Sequence, residues 1–222
     1  MRTALIAGGT GLVGDLLLRQ LLDSPEYGRV VALGRRPPAL GHPKLAAVTV
    51  EFTALDTLTG ELRCDDAFCC LGTTIKQAGS RENFRAVDHT AVLAFAWAAQ
   101  RNGAQRFFLV SALGANAQSR VFYNRIKGKT EEALKVLGFQ TLGLFQPSLL
   151  LGPRREKRRG ERVAAAVLRR MEPVLIGPLR KFRAVEAAVV ARAMLRCADD
   201  RNARGVQVFP SDKIQALGAR DR

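Results

Sequence analysis

Ala4-Leu5-Ile6-Ala7-Gly8-Gly9-Thr10-Gly11-Leu12-Val13-Gly14 decides the fold of this chain. An apolar run of strand length meets glycines at 8, 11 and 14. Apolar residues at helical spacing follow (Leu12, Val13, Leu16, Leu17, Leu21, Leu22). Strand, glycine turn and helix in that order form the context of a dinucleotide site. Gly8 permits the tight turn, Gly11 lets backbone amides approach a pyrophosphate, and Gly14 lets helix and strand pack closely. The phosphates are then expected at the positive end of the helix, where the first amides lack partners. The spacing is G-x-x-G-x-x-G, one residue wider than the usual fingerprint, and a purely structural turn is the competing reading.

Outward from that turn, apolar segments of strand and helix length alternate. Strands are expected at Arg29–Gly34, Ala46–Phe52, Asp66–Leu71, Arg106–Ser111, Thr141–Phe145 and Gly205–Phe209. Helices are expected at Asn83–Asn102, Ser119–Leu137, Val163–Met171, Ala184–Cys197 and Ser211–Leu217, with a helix or loop over Leu55–Leu62 and a polar loop over Ile75–Arg81. Alternation of this kind requires crossovers, so the class is α/β: a doubly wound parallel sheet with helices on both faces. The 222 residues suit one domain. Residues from about 148 onward are expected to form a small cap on the substrate side.

The second strand ends in Gly34-Arg35-Arg36-Pro37-Pro38. An acidic residue here would bind a ribose 2′-hydroxyl. Two arginines stand instead, and guanidinium groups match phosphate oxygens bidentately. NADP(H) is therefore expected over NAD(H), with two solvated arginines as the bland alternative. Directly after the fourth strand, Gly72-Thr73-Thr74 forms a loop that can lie against a nucleotide.

Ser111 ends the fifth strand. Tyr123 and Lys127 follow four residues apart, on one face of a helix. A lysine ammonium beside a phenol favours the phenolate and makes the phenol an acid/base for an alcohol–carbonyl pair. Ser111 would then anchor the substrate oxygen, and Lys127 would also hold the nicotinamide ribose. A pair on a helix surface is the alternative for Y-x-x-x-K taken alone.

Composition narrows the remaining classes. Apolar residues make up 47% and charged ones 25%, which fits a globular chain. No apolar run is long enough to span a membrane, and no signal peptide opens the chain, so a cytoplasmic protein is expected. Cys64, Cys69, Cys70 and Cys197 lack metal-site spacing and read as reduced thiols, with no metal expected. His89 reads as a satisfied helix residue and His42 as a turn residue. The net charge of +15 can steer anionic partners or reflect arginine-rich composition alone. The basic run Arg154–Arg159 has no interleaved aromatics for stacking bases, which argues against nucleic acid. Alanines at 91, 94, 96, 98 and 99 smooth the long helix, and a homodimer through the helices at 83–102 and 119–137 is a hypothesis.

These residues together resemble the short-chain dehydrogenase/reductase superfamily, in its extended or atypical, epimerase-like branch, over nearly the whole chain. The resemblance rests on the glycine turn, Gly34-Arg35-Arg36, Leu71-Gly72-Thr73, Ser111, Tyr123-x-x-x-Lys127 and Pro147-Ser148. Cys70–Thr74, Phe84–Asp88 and the Tyr123 segment are similar to the Tat-interacting oxidoreductase group within it. The resemblance implies a Rossmann fold, with Thr10, Gly11, Leu12 and Val13 around the pyrophosphate. It also implies Arg35 and Arg36 on the 2′-phosphate, Leu71 to Thr73 over the adenosine side, and Pro147 and Ser148 beside the nicotinamide. The chain departs from the family at Asp88, where the main branch has asparagine, and at Gln146, where an arginine often precedes the proline. An NADP(H)-dependent oxidoreductase of unknown substrate is expected, with an NADPH-binding sensor or interaction module of little turnover as the alternative.

Overall fold

The apolar run before the glycine turn forms the centre of a parallel sheet in the computed structural model, which describes residues 1–52, 55, 62–152 and 177–219. The first half contains β1 (Arg2–Ala7), α1 (Leu12–Asp23), β2 (Tyr27–Gly34), β3 (Leu45–Thr49) and β4 (Asp66–Cys69). Next come α2 (Ile75–Ala78), α3 (Arg81–Arg85), a π-helical turn (Ala86–Ala91), α4 (Val92–Arg101), β5 (Arg106–Val110), α5 (Phe122–Lys135) and β6 (Thr141–Gln146). The C-terminal part adds β7 (Leu150–Leu151), a 3₁₀ turn (Gly177–Phe182), β8 (Val185–Glu186), α6 (Ala187–Asp199), β9 (Gly205–Pro210) and α7 (Ser211–Gly218).

Seven strands pair in the order β3-β2-β1-β4-β5-β6-β9, each neighbouring pair parallel. Alternate residues of each strand serve opposite faces. Ala4 and Ile6 join a core with α1 and α6, through Leu17, Leu21, Val190 and Met194. Leu5 and Ala7 join the other, with Phe95 and Ala99 of α4 and Leu134 of α5. Burial on both faces explains why β1 and β4 read as continuous apolar runs rather than alternating ones.

The chain leaves β1 toward β2 on one side, while β4 starts the other side. That reversal opens a crevice at the carboxyl ends of β1 and β4, where doubly wound sheets bind ligands. The opposite end of the sheet is tied by a buried charge knot. The fully buried Asp66 carboxylate receives Arg106 through both oxygens (2.6 and 2.7 Å), Arg2 at 2.7 Å and the Tyr27 hydroxyl at 2.6 Å.

Three expectations need correction. The polar stretch after β4 is not all loop: Thr74 caps the short helix α2 by accepting from the Gln77 amide, and Gly79, at φ 79°, ends it. The long helix is not uniformly α-helical, because its second turn widens into the π turn holding Asp88 and His89. The region past 148 is not all cap. β9 pairs with β6 in the main sheet and α6 packs in its core, while among the described residues β7 and β8 form a separate two-stranded ladder. The expected segment Leu55–Leu62, the basic run Arg154–Arg159 and the helix Val163–Met171 lie wholly or mostly outside the described residues.

Candidate functional site

The glycine turn is shaped by contacts that admit no side chain. Gly8 has φ +82°, and a Cβ on it would sit 2.6 Å from the Cys70 carbonyl carbon and oxygen. A Cβ on Gly14 would run into the Gly8 carbonyl, and Gly11 packs against the same oxygen. The Gly11 amide closes the turn on Gly8 at 2.9 Å. Helix α1 starts on Gly11, which has no side chain to cap it. Among the described residues no side chain caps its first amides, as an anion cradle requires. Arg35 and Arg36 are exposed at the end of β2, beside β1. The residues present fit a dinucleotide: bare backbone at the glycine turn, and two exposed guanidinium groups at the end of the neighbouring strand β2.

A second group converges across the crevice. The π turn carries Asp88, fully buried, to Lys127 on α5. Lys127 Nζ lies 2.8 Å from Asp88 Oδ1, and Asp88 Oδ2 accepts the Thr73 amide at 2.9 Å. A Cβ on Gly72 would lie 3.4 Å from Asp88 Oδ1 and 3.6 Å from Lys127 Nζ. The loop after β4, the π turn and α5 thus meet at one lysine. Burial works against the Lys127 ammonium, but Asp88 and Tyr123 outweigh it and hold its pKa above the ordinary lysine value. Tyr123 is half-buried, with its ring 5.3 Å from that of Phe84. Thr130, one face along α5, donates to the Asp88 carbonyl at 2.9 Å and meets His89 Nδ1 at 3.0 Å, so this histidine is satisfied within the helix pair.

Ser111 departs from its expected role. It follows β5 as read from the sequence, but its hydroxyl donates to the Glu131 carboxylate. A hydroxyl has one proton, so in this arrangement Ser111 offers none to a substrate oxygen. Gln146 Nε2 donates to both Glu131 oxygens at 3.0 Å. Pro147 is buried and its carbonyl accepts the Leu113 amide at 2.9 Å. The Ser148 hydroxyl donates to the Arg183 carbonyl, and its amide donates to Ser211 Oγ at 2.8 Å, tying β6 to the β7–β8 region. Asp88, Glu131 and Gln146 are the site residues that sequence patterning missed as partners. For Glu131 the signal was present: it falls four residues after Lys127, on the same helix face.

The comparisons follow this geometry. Residues 8–137 match the family described as NAD(P)H-binding. The chain belongs to that family. Protein HTATIP2 of Rattus norvegicus is 33% identical over 221 residues, covering 98% of this chain and 89% of the relative, which agrees with the group expected from the sequence. Among solved structures, the Bordetella bronchiseptica enzyme WbmH in complex with NAD+ superposes with a TM-score of 0.70 at 18% identity, over 95% of this chain and 76% of WbmH. The human epimerase family protein SDR39U1 with NADPH gives 0.63 at 18% identity, over 98% of this chain and 81% of that one. This member of the NAD(P)H-binding family therefore has the Rossmann architecture of the short-chain dehydrogenase/reductase and epimerase proteins. Among the described residues no helix is long and apolar enough to cross a membrane, and no cluster of His, Cys, Asp or Glu is fit to hold a metal. The four cysteines are free, and burial pushes Cys64, Cys69 and Cys197 up to about 12.

Proposed function

We propose that the chain is an NADP(H)-dependent oxidoreductase for a carbonyl–alcohol pair, with Tyr123 as proton donor and Lys127 as its electrostatic partner and ribose ligand. The observation that carries this reading is the buried Asp88–Lys127 ion pair, wedged against Gly72 and coupled to Tyr123. A buried ion pair adds little stability compared with apolar packing, so its position at the crevice favours a chemical use.

When bound, the nicotinamide supplies or takes up the hydride. In reduction, Tyr123 gives its phenolic proton to the carbonyl oxygen. The Lys127 ammonium, kept charged by Asp88, faces the negative charge left on the Tyr123 oxygen. Gly8, Thr10, Gly11, Leu12, Val13 and Gly14 hold the diphosphate, Leu71 to Thr73 cover the adenosine side, and Pro147 and Ser148 border the nicotinamide. Arg35 and Arg36 support NADP(H) over NAD(H), since β2 ends in Gly34-Arg35-Arg36 where an acid would hold a free 2′-hydroxyl.

NADPH oxidation with a panel of aldehydes and ketones tests the reading. Tyr123→Phe should lower kcat/KM about 10²- to 10⁴-fold while leaving NADPH affinity intact. An unchanged rate would remove Tyr123 from the chemistry. One observation favours the alternative of a nucleotide-binding module: Ser111 turns its proton away from the crevice. Tight NADPH binding with no turnover across the panel would select that alternative.

A further inference from the structure

Glu131 is buried, 5% exposed, and among the described residues the hydrogen bonds it receives come from neutral groups. Oε1 accepts the Ser111 hydroxyl and Gln146 Nε2, and Oε2 accepts the same Nε2. Lys127 and Lys135 of its own helix act on it only through space. The groups facing it are Ser111 from β5, Gln146 from β6, and Glu132 with both lysines from α5. A carboxylate buried without a bonded cation is costly. Gln146, which bonds both Glu131 oxygens, is neutral, so among the described residues no cation is hydrogen-bonded to Glu131. Glu131 and Gln146 also line a cleft of about 480 Å³, shared with Asn116, Gln118, Glu132 and Lys135, which gives the carboxyl a route to exchange protons with solvent.

We propose that Glu131 is a positioning residue whose proton decides which way the Ser111 hydroxyl points, so that Ser111 donates to a substrate carbonyl only when Glu131 is protonated. This rests on the oxidoreductase reading above and deepens it. With Glu131 ionised, the single Ser111 proton is drawn inward, and Ser111 presents only lone pairs to the crevice. With Glu131 protonated, its O–H donates to Ser111 Oγ and the Ser111 proton turns outward, where it can hold a carbonyl oxygen beside Tyr123. No covalent bond changes apart from the proton on Glu131, which comes from solvent through the cleft. Burial pushes the Glu131 carboxyl above its ordinary range, against the opposing pull of Ser111, Gln146, Lys135 and Lys127.

Two variants shift the balance in opposite directions. Glu131→Gln supplies a permanent amide donor to Ser111 and mimics the protonated form. Gln146→Arg supplies the missing cation and holds Glu131 ionised. Wild-type kcat/KM for carbonyl reduction should fall as pH rises through the Glu131 titration. E131Q should lose that limb, and Q146R should move it to lower pH with about a ten-fold lower rate at neutral pH, the worth of one substrate hydrogen bond. A ¹³C NMR titration of the Glu131 carboxyl, read in wild type and Q146R with NADPH bound, reports the same shift without turnover. Reduction with a pH limb unmoved in both variants, or a Glu131 signal titrating in the ordinary carboxylate range, overturns this proposal and leaves the Tyr123 reading standing. No turnover in any form overturns both.

Discussion

Replacing Asp88 with alanine should unsettle the protein far more than loss of a surface ion pair. The Asp88 and Lys127 side chains are 0% and 6% exposed, and their charged atoms lie 2.8 Å apart. An exposed pair of this kind contributes about 0–1 kcal/mol. Removing one partner of a buried pair costs about 3–5 kcal/mol, because the other charge stays out of water without compensation. The Thr73 amide loses its acceptor as well. With a urea slope of about 2 kcal/mol/M, D88A should unfold at a midpoint roughly 2 M lower. Lys127→Met alone strands Asp88 and should cost a similar amount. The double variant leaves neither charge, so it should cost less than the sum of the two by about 2–3 kcal/mol. Urea denaturation of the four proteins, followed by circular dichroism, closes this cycle. If D88A costs less than about 1 kcal/mol, or the two changes simply add, the pair is not the buried, mutually dependent unit described here.

Further outcomes follow from other contacts. Arg35→Ala with Arg36→Ala should weaken NADPH binding about ten-fold or more while sparing NADH, as a fluorescence titration of each nucleotide would show; equal loss for both would end their 2′-phosphate role. Asp66→Asn should cost about 3–5 kcal/mol, chiefly by stranding the buried Arg106, since Arg2 keeps Glu26 and Asp199; a shift in thermal midpoint of under about 2 °C would show that the knot at the base of the sheet is dispensable. Because the folded carboxyl of Glu131 is raised from 4.5, its contribution is fully present below that value and lost as pH rises through the raised one. The stability of wild type relative to E131Q should therefore decline with pH across that window; a constant difference in urea midpoints would contradict the raised carboxyl.

The fold was legible in the sequence where one residue type admits one explanation. Gly8, Gly11 and Gly14 mark a turn where a side chain would strike backbone, and residues 4–7 of β1 and 67–69 of β4 are apolar because both faces are covered. The ends of helices were less legible. Thr74 and Gly79 define α2 through capping, which the short run Ile75-Lys76-Gln77-Ala78 does not advertise by periodicity. Contacts made across long stretches of chain were hidden. Asp88 and Lys127 lie 39 positions apart, and they meet where the wide turn of one helix packs against another. Ser111 could be placed at the end of β5 by pattern, yet the direction of its proton depends on Glu131 and Gln146, from two other elements. Aromatic pairs such as Phe68–Phe108, stacked at 5.1 Å, are likewise visible as apolar positions but not as partners.

The widened turn at Ala86–Ala91 lets a single rod obey two clocks. On its far side, Phe95, Ala96 and Ala99 keep time with the sheet; on its near side, Phe84 keeps time with Phe122 and Tyr123. An unbroken α-helix of equal length would have to drop one appointment, since each residue advances it by a fixed angle of about 100°. The extra room in that coil acts as a phase adjuster. Straightening the same residues into uniform α-helix would turn the aromatic half and its carboxylate away from the lysine they serve, while the scaffold's half stays seated.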